Sequence, residues 1–91
     1  MWVLTTTGHL INIDGARNMF AQESFEFTPK EAVEIIAHFP PSERISLAVV
    51  TGTDRAEVQR QGQALFHRLV SKIEKNETFC NLMTPVTADV N

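Results

Sequence analysis

The segment from Asp54 to Lys75 constrains this chain more than any other. Its apolar positions Val58, Gly62, Leu65, Phe66, Leu69 and Ile73 recur every three or four residues and line one stripe of a helix. Asp54 suits the N-cap, with Glu57 three residues on to complete a capping box. Lys72 and Lys75 stand near the carbonyl pole, where cations are favoured. Asn76 suits the left-handed residue that closes a helix. Gly62 within the stripe costs about 1 kcal/mol of helix propensity relative to Ala, so its expected role is close approach to the layer beneath. One amphipathic helix needs a second layer to bury its stripe, and the rest of the chain must supply it.

That layer reads as a sheet. "WVLTT", "TG" and "HLINI" form a hairpin, with Gly8 supplying the positive φ of a tight loop. A two-residue Thr7-Gly8 loop sets Thr6 opposite His9, Leu4 opposite Ile11 and Trp2 opposite Ile13. Trp2, Leu4, Ile11 and Ile13 then share one face, and Val3, Thr5, Leu10 and Asn12 the other. "DGAR" (Asp14 to Arg17) is a turn signal, and Asn18 to Phe27 reads as a further strand, bulged or frayed near Glu23.

"AVEIIAHF" (Ala32 to Phe39) carries signals for both elements. Thr28-Pro29-Lys30-Glu31 resembles a helix start, and Ala32, Ile35, Ile36 and Phe39 have helical spacing. Against this, Pro40-Pro41 would stop the helix after about ten residues, a marginal length. The segment is rich in β-branched residues, and "RISLAVV" beyond it is a clear strand. Folding one onto the other sets Val33 opposite Val49, Ile35 opposite Leu47 and Ala37 opposite Ile45, apolar against apolar throughout. The strand reading follows, with Thr28 to Glu31 serving as a turn.

Ninety-one residues make one small domain, here residues 1–76, with an apolar tail over 77–91 that packs on the sheet or on a partner. A net charge of −3 gives no long-range attraction for phosphate backbones, so nucleic acid is an unlikely partner. No apolar run reaches the ~18 residues that read as a membrane span, and no signal peptide is visible. With a single Cys, no internal disulfide forms, and a cytoplasmic location is the expectation. The Asn76-Glu77-Thr78 triplet carries no meaning without secretion.

Chemistry-bearing residues do not converge. His9, His38, His67 and Cys80 lack ligand spacing, so no metal or cofactor is expected. Cys80 sits among apolar neighbours that make a thiol inert, and no nucleophile stands on a glycine elbow. "TGTDR" (Thr51 to Arg55) is a plain helix entry, without the lysine and glycines of a phosphate loop. No catalytic residue is identified, and the chain is not expected to be an enzyme.

One helix covers one face of a sheet. On these registers Val3, Leu10, Ile36, Ala48 and Val50 point away from it, mixed with Thr5, Asn12, Glu34, His38 and Ser46. Such a face implies a partner or cover by the tail. The candidate interaction surface is therefore Val3, Leu10, Ile36 and Val50 with Phe79, Leu82, Met83 and Val86 of the tail.

"TTTGHLINID", and a strand turning through "TGTDRAE" into a terminal helix, resemble small uncharacterised bacterial and phage-encoded proteins with an antiparallel sheet followed by one helix. The resemblance spans most of residues 1–75 and implies a fold, with no activity or site residues. The expectation is an α+β domain: about five strands in an antiparallel meander, one helix across one face. Its expected role is a non-enzymatic interaction module, forming a homodimer or docking on another protein. Two alternatives are nucleic-acid binding by the mildly basic helix face (Arg60, His67, Arg68, Lys72) and a small-ligand or enzyme pocket between tail and sheet.

Overall fold

The computed structural model describes residues 1–23 and 31–86. The predicted continuation of the third strand to Phe27, the Thr28–Lys30 turn and the last five residues lie outside the described residues. The fold is α+β. Strands β1 (Trp2–Leu4), β2 (Leu10–Asn12), β3 (Asn18–Glu23), β4 (Glu31–Phe39) and β5 (Glu43–Gly52) precede helix α1 (Arg55–Glu74) and strand β6 (Phe79–Asn81). The expected single meander is two three-stranded sheets, ordered β2-β1-β6 and β3-β4-β5. The sixth strand comes from the tail: β6 runs parallel to β1, with Val3 opposite Cys80. A short strand after a long helix was not legible in "TFCNL", which shows no alternation.

"AVEIIAHF" is a strand, paired on both sides. Its register with β5 is the expected one near the turn, Ala37 opposite Ile45, and then shifts. Ile36 faces Ser46, but Ile35 faces Ala48, so Leu47 is the extra residue of a bulge and the predicted Ile35–Leu47 pair is absent. The bulge turns Ala48 and Val50 toward the helix side, beside Ile35 and Val33, and all four are buried in the core. Without the bulge, simple alternation places Ala48 and Val50 on the opposite face.

The first hairpin differs by one residue as well. Trp2 pairs with Asn12, Val3 with Ile11 and Leu4 with Leu10. The loop is Thr6-Thr7-Gly8, closed by Thr5 N–H to the His9 carbonyl (2.8 Å) and Gly8 N–H to the Thr5 carbonyl (3.0 Å), with Gly8 at φ +88°. This is a three-residue loop ending on a left-handed glycine, rather than the two-residue loop expected. One residue of slip turns β1 over, while Leu10, Ile11, Asn12 and Ile13 keep the faces expected of them. Val3, Thr5 and Ile13 are buried, whereas Trp2 and Leu10 face out.

The helix begins and ends as its sequence implies. Asp54 accepts from the Ala56 and Glu57 N–H groups. The box is not closed by Glu57, whose carboxylate goes to Arg60 and Gln61. At the far end Asn76 takes φ +56°, Asn76 N–H reaches the Ile73 carbonyl, and Glu77 N–H reaches the Lys72 carbonyl, each at 3.0 Å. This paired closure satisfies two otherwise orphaned carbonyls. Val58, Gly62, Leu65 and Leu69 are the buried stripe, packed chiefly on β4 and β5. Val3, Cys80 and Leu82 join the same core, so both sheets share it.

Candidate interaction surface

The outer face of β2-β1-β6 is built by the hairpin slip. Paired residues in a sheet share a face, so Trp2, Asn12 and Phe79 form one row and Leu4, Leu10 and Asn81 the next. Trp2 is 46% exposed, Leu10 54% and Phe79 47%. Trp2 and Phe79 are direct neighbours across the parallel pair. Every residue in the two rows is uncharged, so covering this face strips water from no ion. The two asparagines use their side-chain oxygens locally: Asn12 accepts from Asp14 N–H, and Asn81 from Met83 and Thr84 N–H.

The eight residues singled out from sequence do not form one surface. Val3, Val50 and Leu82 are in the core, and Val86 packs against it. Ile36 is buried on the face of the larger sheet away from the helix, in the same row as Phe20 and Ser46. Leu10, Phe79 and Met83 are exposed, and Leu10 and Phe79 share the outer face. Trp2, the largest member of that face, was missed because a two-residue loop turns it inward. The signal was present: "TTTG" fits a three-residue loop with glycine last as well as it fits a two-residue one.

The other candidate groups are occupied. Arg60 is tied to Glu57, Lys72 to Glu77, and Arg68 donates to the carbonyls of Asn81 and Thr84. The helix face read as basic is thus largely spent on its own chain. Burial pushes the Cys80 thiol up, away from the reactive thiolate. Among the described residues no three His, Cys, Asp or Glu side chains are placed to hold a metal ion. A cleft of about 430 Å³ lies where Asn76 to Thr78 pass Met1, Ile13 and Ile73. Its charged groups are already paired, the Met1 ammonium with Asp14 and Glu77 with Lys72. No described helix is long and apolar enough to cross a membrane.

Comparison of the chain with protein-family models, curated proteins and solved structures finds no match.

Proposed function

We propose that this protein is a small non-enzymatic interaction module and that the outer face of β2-β1-β6 is a contact surface for another protein. One observation carries the reading: Trp2, Leu10 and Phe79 stand about half exposed on a single uncharged face. Isolated exposed apolar residues are ordinary, but a group on one face that includes an adjacent tryptophan and phenylalanine has the composition of an interface core. Tryptophan is over-represented among residues that dominate binding energy. Occupation of the helix cations by internal partners weakens the nucleic-acid reading, and the paired charges of the cleft weaken the ligand reading. A cytoplasmic setting fits a chain whose one cysteine is a free thiol.

The test is position-specific photo-cross-linking in living cells. A benzophenone amino acid at Leu10 is expected to give discrete adducts that vanish when Trp2 is changed to Ser. The same group at Glu74, exposed near the end of α1, is the control. No adduct from position 10, or the same adducts from both positions, overturns the assignment.

A further inference from the structure

We infer that two copies of this chain join edge to edge through β3, making one six-stranded antiparallel sheet. The inference rests on the reading of the protein as an interaction module but uses a different surface from the outer face.

β3 is the last strand of its sheet, and among the described residues nothing pairs with its free edge. The opposite edge is treated differently. There, Thr6 donates its N–H to the Leu47 carbonyl (3.2 Å) and accepts the Val49 N–H on its hydroxyl (3.0 Å), which occupies β5 at its bulge. Edge strands that stay solitary usually carry proline, lysine, a bulge or a short length as protection. β3 reads Asn-Met-Phe-Ala-Gln-Glu over six residues with regular pairing to β4, and its one charge is at the end.

The sequence is self-complementary in one register. A two-fold axis at Phe20 sets Phe20 against Phe20 of the second copy, Met19 against Ala21, Asn18 against Gln22, and Arg17 against Glu23. Apolar meets apolar, amide meets amide, and opposite charges meet at both ends. Slipping by one residue puts helix-side residues against far-side ones. Slipping by two in either direction keeps the faces but sets Phe20 against Gln22 or Asn18 and leaves Arg17 without Glu23. Arg17 is exposed at the bend just before Asn18, and its backbone N–H bonds the His38 carbonyl (2.8 Å), which holds it beside the start of β3. Glu23 is oriented by Arg55 (2.8 Å) and by Gln59, and a carboxylate has lone pairs for a further donor.

The helices leave room. Both lie on the same side of the joined sheet, but α1 packs over β4 and β5. At ~4.8 Å per strand the two axes stand roughly 19 Å apart, well beyond the 8–10 Å of touching helices. Two-fold symmetry closes the assembly at two, since each copy has one β3.

The test is sedimentation equilibrium of the full chain over a concentration series, read with the emission of Trp2, the sole tryptophan. The expected result is a concentration-dependent dimer of twice 10.2 kDa with Trp2 emission unchanged. Arg17→Glu is expected to weaken it at least ten-fold without altering the circular dichroism. Mixing Arg17→Glu with Glu23→Arg should restore a one-to-one heterodimer, because both end pairs are then opposite in sign. If Glu23→Arg does not fold, hydrogen exchange of β3 amides in the wild type, slowing as concentration rises, replaces it. A monomer at high micromolar concentration overturns the inference. So does a dimer indifferent to Arg17→Glu, or one that shifts Trp2 emission, which would place the contact on the outer face. A monomer whose β3 amides are protected only by an added peptide of residues 17–23 assigns the edge to a foreign strand and also overturns it. Loss of the dimer with cross-links from position 10 intact would leave the proposed function standing.

Discussion

A Cβ atom placed on Gly62 would lie 2.7 Å from Val33 Cγ1 and 3.1 Å from Val33 Cβ, so α1 and β4 meet where the helix has no side chain. The close approach explains a glycine in mid-helix. It also decides between two opposing effects of Gly62→Ala. Helix propensity gains about 1 kcal/mol, while overpacking costs typically 1–3 kcal/mol. Val33 is β-branched with its Cβ held by the strand, so it yields little, and overpacking wins. Urea unfolding should show Gly62→Ala less stable than the parent. Val33→Ala in the same chain should recover part of the loss, a positive coupling in a double-mutant cycle. A raised midpoint for Gly62→Ala would refute this packing.

The bulge at Leu47 depends on Thr6. Thr6→Val keeps the shape but removes the acceptor for the Val49 N–H. Leaving such a group unpaired costs roughly 1–3 kcal/mol. The more local readout is hydrogen exchange, in which the Val49 amide should speed up more than its neighbours in β5.

Those two contacts show what the sequence made legible. The stripe on α1, its cap at Asp54, its left-handed close at Asn76 and the approach at Gly62 all follow from local spacing and backbone preference. The strand identity of "AVEIIAHF" follows from its pairing with "RISLAVV". What escaped was register. A one-residue difference in the Thr6-Thr7-Gly8 loop and one extra residue at Leu47 each turn side chains over, and neither has a local signature strong enough to read. The contact surface was misplaced for that reason: Val3 and Val50 went inward, and Trp2 came out. β6 was missed because it pairs in parallel with a strand 77 residues earlier, which no neighbouring pattern announces.

The tail is part of the core. Leu82 is almost fully buried, in the same core as Val3 and Leu69. Leu82→Ala should cost roughly 2–5 kcal/mol, the range for emptying a buried leucine site. Truncation after Asn76 removes Cys80 and Leu82 and leaves β1 without its parallel partner, so the product should melt lower and aggregate. A truncated chain as stable as the full one would contradict the role given to β6.

Acid should loosen the first turns of α1. Hydrogen bonds from Arg60 and then Gln61 lower the Glu57 pKa from 4.5 to about 2. Gln59 and then Arg55 lower that of Glu23. A depressed folded-state value means the contribution is present above the unfolded value and lost as pH falls through the folded one. For Glu57 the window runs from about pH 4.5 down to about 2. Carboxyl titration by NMR should place Glu57 below an ordinary glutamate, and Glu57→Gln should remove that part of the acid sensitivity. An ordinary glutamate midpoint at Glu57 would contradict the ion pair.

The claim on which the contact surface rests is the hairpin register, and the chain carries its own probe. It has one tryptophan and no tyrosine, so its emission reports Trp2 alone. The register with Val3 opposite Ile11 leaves Trp2 half exposed, whereas the register shifted by one buries it. Acrylamide quenching of the dilute folded protein measures this directly. Solvent-like emission that acrylamide quenches readily before any unfolding is the expected result. Blue-shifted emission that resists acrylamide until the protein unfolds would put Trp2 in the core and remove the proposed surface.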